Sequence, residues 1–250
     1  MLPIISVVGI PGGGKTTLGC RLAREFGLYR IDLRHVLTSV TAPSPTVRQY
    51  IEGEPVPREL FRSLAEWMDT PVDEVFSKCR FKEPGVPVGI LLPVLRNKLE
   101  QISRENKYKG ILLENFPRSL SHARFAAKFF AFFGFTFPTL TIMVACPSHV
   151  VRSRWFKVAT EKHNLSGFEK AIDLHWKKMP ALRQALPESR LVRTFNDDSM
   201  TMEQTYLTLL TNLRLNQIWN DIVNGQSGQT LTSHVAEPSS KSDTQSCGGK

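Results

Sequence analysis

The stretch "GIPGGGKTT", Gly9 to Thr17, decides how the rest of this 250-residue chain is read. Gly9, four residues, and then Gly14-Lys15-Thr16 satisfy the G-x-x-x-x-G-K-[ST] spacing of a phosphate-binding loop. Glycines let the backbone turn tightly and aim successive N–H groups at one anion, so Gly9, Ile10, Pro11, Gly12, Gly13 and Gly14 form the expected cradle. Lys15 is placed to reach the β- and γ-phosphates of ATP, Thr16 to ligate Mg²⁺, and Thr17 to continue the loop into a helix. The flanks agree with this. Ile4–Val8 is a short apolar run, read as a buried parallel strand. Leu18, Leu22, Ala23 and Phe26 recur at helical spacing, so a helix over about 15–26 follows and turns its positive end to the anion.

Outward from the loop, apolar strands alternate with helical segments. "YRIDL" (Tyr29–Leu33), "GILLEN" (Gly110–Asn115), "TLTIMVA" (Thr139–Ala145) and "RLVRTF" (Arg190–Phe195) read as strands. Helices are expected after the third strand, over about 147–162, 167–186 and 201–213. This pattern predicts an α/β fold, a five-stranded parallel sheet with helices on both faces. From about Asn224 the chain is rich in Ser, Gly, Thr, Gln and Lys, and residues 224–250 read as a disordered tail.

Composition adds bounds. The chain is 41% hydrophobic and 22% charged, ordinary for a globular domain. A strand that begins almost at Met1 leaves no space for a signal peptide, and Cys20, Cys79, Cys146 and Cys247 show no paired spacing. A reducing compartment is expected, cytoplasmic with the nucleus as second choice. The Phe-rich run Ala123–Ala145 contains Arg124, Lys128 and Pro138, so a buried helix followed by a strand is expected, and no membrane span. The net charge is +9, and Pro147–Arg193 holds ten Lys/Arg against four Asp/Glu. Such a patch suits nucleic acid or a polyphosphate clamp; the phosphate loop favours the clamp, a small-molecule partner and a monomer.

"GILLENFPRSLSHA" narrows the class. An apolar strand ending in Glu114, in a chain with a phosphate loop, supplies the acidic group that organises Mg²⁺ and its waters. Arg118 follows Pro117 at the edge where open α/β sheets bind ligands, and a guanidinium there can grip a phosphate with two N–H groups.

Together these residues resemble the adenylate kinase family of nucleoside monophosphate kinases. That family's D-G-F-P-R motif corresponds to Glu114-Asn115-Phe116-Pro117-Arg118, and Gly85-Val86-Pro87 resembles its monophosphate-pocket turn. The resemblance covers about residues 1–215. It implies an acceptor-binding insertion over about 34–109, enlarged here, and a short lid over about 152–170. It further implies transfer of the γ-phosphoryl of ATP to a nucleoside monophosphate. Arg118, Gly85 and Val86 would hold the acceptor, with Arg34 close to the position of a further family arginine, and Arg152 and Arg154 would close over the phosphates. Departures are clear: Glu114 replaces Asp, His122 stands where the family's base-reading Gln falls, and Ala171 stands where a lid arginine falls. "GGGKTTLGCRLAREFGLYRIDLR" also resembles shikimate kinase and related small-molecule kinases, with K-T-T-x-G and Asp32 placed to receive a substrate hydroxyl. A third reading, from a different class, is a nucleotide-binding regulatory protein without transferase activity on the same fold.

Overall fold

The computed structural model describes residues 1–33, 62–71, 88–158 and 165–225. Its sheet has five parallel strands in the order β2-β3-β1-β4-β5, formed by β1 (Ile4–Gly9), β2 (Leu28–Asp32), β3 (Gly110–Glu114), β4 (Leu140–Ala145) and β5 (Leu191–Phe195). The predicted parallel α/β architecture is therefore the observed one, with strand ends within about a residue of expectation.

Helices cover both faces because the central strands β1, β3 and β4 are buried on both sides. On one face lie α1 (Lys15–Phe26), α7 (Met202–Arg214) and α8 (Gln217–Val223). Their Leu18, Leu22, Tyr206, Leu209, Leu213, Trp219 and Ile222 pack on Ile5, Val7, Leu112 and Ile142 of the sheet. On the other face lie α2 (Arg62–Met68), α3 (Val88–Glu105) and α4 (Leu120–Phe132). There Leu64, Leu95, Leu99, Phe129 and Phe130 meet Ile4, Ile31, Ile111 and Leu113. Two further helices, α5 (Ser148–Val158) and α6 (Leu165–Ala185), follow β4, and Val150, Val151 and Ile172 pack with Ile10 and Cys146. The Phe-rich run resolves into α4 and β4, and no helix among the described residues is long and apolar enough to cross a membrane.

The packed body extends past the expected limit at residue 215. Asn216 caps α8 by accepting from the Trp219 N–H at 3.0 Å, and the Trp219 ring meets Phe26 edge-on at 4.9 Å. Lys109 reinforces the dock by donating to the Val223 carbonyl at 2.8 Å. Trp219 is only 2% exposed. Trp219→Ala should therefore cost about 3 kcal/mol, the range for deleting a buried aromatic, and lower Tm by roughly 6–12 °C in a chain of this size. A thermal melt within 1–2 °C of the parent would contradict this account of α8. The segment expected to be a disordered tail lies outside the described residues from 226 onward.

Candidate active site

The strand order turns the chain away from β1 in both directions, which opens a crevice at the C-terminal edges of β1 and β3. A cleft of about 620 Å³ lies there. It is lined by Gly9, Pro11, Gly12, Gly14, Lys15, Thr16 and Thr17 of the loop, and by Asn115, Pro117 and Arg118 after β3. Two motifs separated by about a hundred residues of sequence thus share one cavity. Parallel pairing of β1 with β3, Val7 opposite Glu114, is what joins them.

The loop is built to a fixed shape. Gly14 caps α1 in the left-handed conformation, φ 90°, and a Cβ there would stand 2.5 Å from Asn196 Nδ2. Asn196 is itself 1% exposed and donates from Nδ2 to the Gly13 carbonyl at 2.9 Å. The segment after β5 therefore buttresses the loop from behind. Lys15 is buried, and its Nζ donates to the Ile10 carbonyl at 2.6 Å.

Glu114 is fully buried at the end of β3. Its Oε2 accepts from Thr16 Oγ1 at 3.1 Å, and its Oε1 accepts from Arg30 Nε at 2.6 Å. Arg30 also stands 3.6 Å from Asp32, which is buried on β2 directly opposite Glu114. The extra methylene of Glu relative to Asp needs space, and Gly19 on α1 gives it: a Cβ at Gly19 would stand 2.5 Å from Glu114 Oε1. Thr16 and Glu114 present hydroxyl and carboxylate oxygens, a donor set that fits a hard cation such as Mg²⁺. No group of three or more His, Cys, Asp and Glu among the described residues could hold a metal by itself.

Asn115 takes φ 62°, left-handed backbone that Asn tolerates better than most residues, where the D-G-F-P-R pattern has glycine. The turn sends Phe116 into the core at 0% exposure and brings Arg118 out to the cleft. Arg118 Nε donates to the Asn115 carbonyl at 3.1 Å, which anchors the guanidinium at the rim.

Other residues singled out in the sequence are placed differently. Arg152 is clamped by Glu169, Nε to Oε1 at 2.9 Å and Nη2 to Oε2 at 2.8 Å, which ties α5 to α6. Arg154 Nη2 donates to Asn196 Oδ1 at 3.1 Å and to the Asp197 carbonyl at 3.0 Å. In this arrangement both arginines, expected to close over phosphates, are turned to protein partners, and neither lines the cleft. Arg154 instead holds the Asn196 buttress. His122 is half-buried, stacks on Phe116 at 6.0 Å, and does not line the cleft. Burial, with Lys178 and Arg118 nearby, lowers its pKa below the usual histidine range. Asp32 is near the Thr16–Glu114 pair but is not a lining residue. Arg34, Gly85 and Val86 lie outside the described residues, as do positions 159–164 of the expected lid. Ala171 does line the cleft, together with Leu174, His175 and Met179 of α6.

Arg30, Gly19, Asn196 and His175 were not singled out by sequence reasoning. The signal for Gly19 was present, as the last position of K-T-T-x-G. The other three owe their roles to contacts between segments distant in sequence.

No family model matches the chain. A shikimate kinase of Corynebacterium glutamicum is 38% identical over 60 residues, which is 24% of this chain. The match spans 36% of that relative's length. A solved structure of shikimate kinase from Bacteroides thetaiotaomicron covers 86% of this chain and 98% of its own, at 16% identity and a TM-score of 0.45.

Proposed function

We propose that this chain is an ATP-dependent phosphotransferase acting on a small-molecule acceptor. The observation that carries the reading is the contact of Thr16 with buried Glu114, beside Lys15, in a cleft that Arg118 also lines. Phosphoryl transfer needs positioning and charge neutralisation more than covalent participation by the protein. Lys15 balances charge on the transferred group. Glu114 orients the Thr16 hydroxyl, and Arg30 holds Glu114 in place. Arg118 positions the acceptor in line. Thr16 and Glu114 would hold Mg²⁺, which would supply further charge neutralisation when bound.

Two acceptor classes follow from separate observations. The shikimate kinase match favours a small hydroxy acid whose hydroxyl receives the phosphoryl group. The Phe116-Pro117-Arg118 turn at the cleft rim favours a nucleoside monophosphate. We rank the hydroxyl acceptor first, because the N-terminal resemblance extends through K-T-T-x-G to the acid at the end of β2. The test is ADP formation in a coupled assay with shikimate, other small hydroxy acids, and AMP, CMP, UMP and GMP as acceptors. A rate above the acceptor-free rate with any of them supports transfer and assigns its class. ATP binding without turnover for every acceptor would leave a nucleotide-binding protein instead.

Arg118→Lys separates donor from acceptor. Lysine keeps the charge but loses the planar fork. The acceptor KM is expected to rise roughly tenfold, the scale of one charged hydrogen bond, while ATP affinity stays within twofold. Equal losses for both substrates would move Arg118 to the donor side.

A further inference from the structure

Helix α6 forms a wall of the cleft that the phosphate loop does not supply. Ala171, His175 and Met179 succeed one another at intervals of four residues, one stripe of the helix, with Leu174 beside them. Three of these four side chains are apolar, so His175 is the one polar side chain that α6 contributes to the cleft lining. The stripe is held rigidly. Ile172 is buried with Val150, Val151 and Ile10, directly behind the loop. Leu182 is buried with Val8, Met143 and Leu191. Trp176 Nε1 donates to Ser148 Oγ at 2.7 Å, which fixes the rotation of α6 against the start of α5. A side chain placed by a packed helix is positioned better than one on a loop.

We propose that His175 is a phosphate-contacting residue of this site, binding from the α6 wall the same phosphates that the loop and Lys15 bind. The proposal rests on the reading of the cleft as a nucleotide-phosphate site. Its support is electrostatic as well as geometric. Burial and the Lys15 ammonium push His175 down to about 4, so the imidazole is neutral and close enough to feel Lys15. The other charged side chains lining the cleft, Lys15 and Arg118, are both cationic. A phosphate entering beside them offsets that repulsion, and the neutral imidazole can donate its N–H to a phosphate oxygen. A contact of this kind supplies what Arg152 and Arg154, held by Glu169 and by the Asn196 segment, do not bring to the cleft.

The test is calorimetric titration of the full chain with inorganic tripolyphosphate, ATP and adenosine. His175→Ala should weaken tripolyphosphate and ATP about tenfold, one charged hydrogen bond, and leave adenosine unchanged. His175→Arg should keep the affinity for both phosphates, and melting curves of both variants should overlay the parent. Unchanged tripolyphosphate affinity in His175→Ala, with Lys15→Ala weakened in the same series, would overturn the proposal alone. An equal loss for adenosine would also overturn it, as the mark of a structural role. Absence of tripolyphosphate binding in the parent chain would remove the phosphate-site reading, and the proposal with it.

Discussion

Lys15→Ala is expected to reduce phosphoryl transfer by about 10²-fold or more, the loss seen when one preorganised electrostatic stabiliser is removed. The chain should still fold. Lys15 is 6% exposed, and its ammonium donates to a loop carbonyl, that of Ile10. That carbonyl also accepts from the Gly13 N–H at 3.1 Å, so it keeps a partner when the lysine is removed. The large effect therefore belongs to the transition state, where charge passes along the γ-phosphate, and the small one to the ground state. Steady-state rates at saturating ATP and Mg²⁺ make the check. A kcat within threefold of the parent would remove Lys15 from the mechanism.

The second large effect is at Glu114, where stability and catalysis separate. Glu114→Ala leaves Arg30, whose side chain is 25% exposed, without its shortest carboxylate contact. Arg30 keeps Asp32 at 3.6 Å, so the loss should fall below the roughly 3–5 kcal/mol of a buried charge left with no counter-ion. Adding Arg30→Met removes that charge but leaves buried Asp32 without its arginine, so the double variant should recover only part of that stability. Turnover should not recover. Thr16 still lacks the acceptor that orients its hydroxyl, so both variants should lose activity alike. Chemical denaturation and kinetics on the parent, both single variants and the double variant test this together. A double variant that regains turnover along with stability would make Glu114 structural only.

These expectations differ in how far the sequence alone carried them. The phosphate loop was legible because all its determinants lie within nine consecutive residues. The central strands were legible because burial on both faces makes them continuously apolar, as in "GILLE" of β3. Glu114 was expected to be the acid of the site, but its pairing with Arg30 was not foreseen. That contact depends on β2 lying beside β3 in a register that places Asp32 opposite Glu114, and no local signal sets such a register. Helix α8 was missed because "QIWNDIV" is short and half polar. Its existence is decided by Trp219 meeting Phe26, nearly two hundred residues away. The lid arginines show the converse case. A dense basic cluster after β4 suggested a phosphate clamp, but Glu169 and Asn196 occupy Arg152 and Arg154. His175, in the same basic region, lines the cleft because of the rotation of α6, which helix packing sets and composition does not.

The gap between the two acceptor readings has a physical origin as well. Phosphate recognition uses backbone turns and a few charges, which leave a strict spacing. Acceptor recognition generally uses side chains gathered from several segments, and Arg34, Gly85 and Val86, expected to hold the acceptor, lie outside the described residues.

The most direct measurement is transfer of an isotopic label from the γ-phosphate of ATP, followed in the presence of each acceptor. The parent chain should move the label to at least one small hydroxy acid or nucleoside monophosphate, releasing ADP in equal amount, and Lys15→Ala should not. Label that stays on ATP, or appears only as inorganic phosphate with every acceptor while ATP is demonstrably bound, would contradict the assignment as a phosphotransferase.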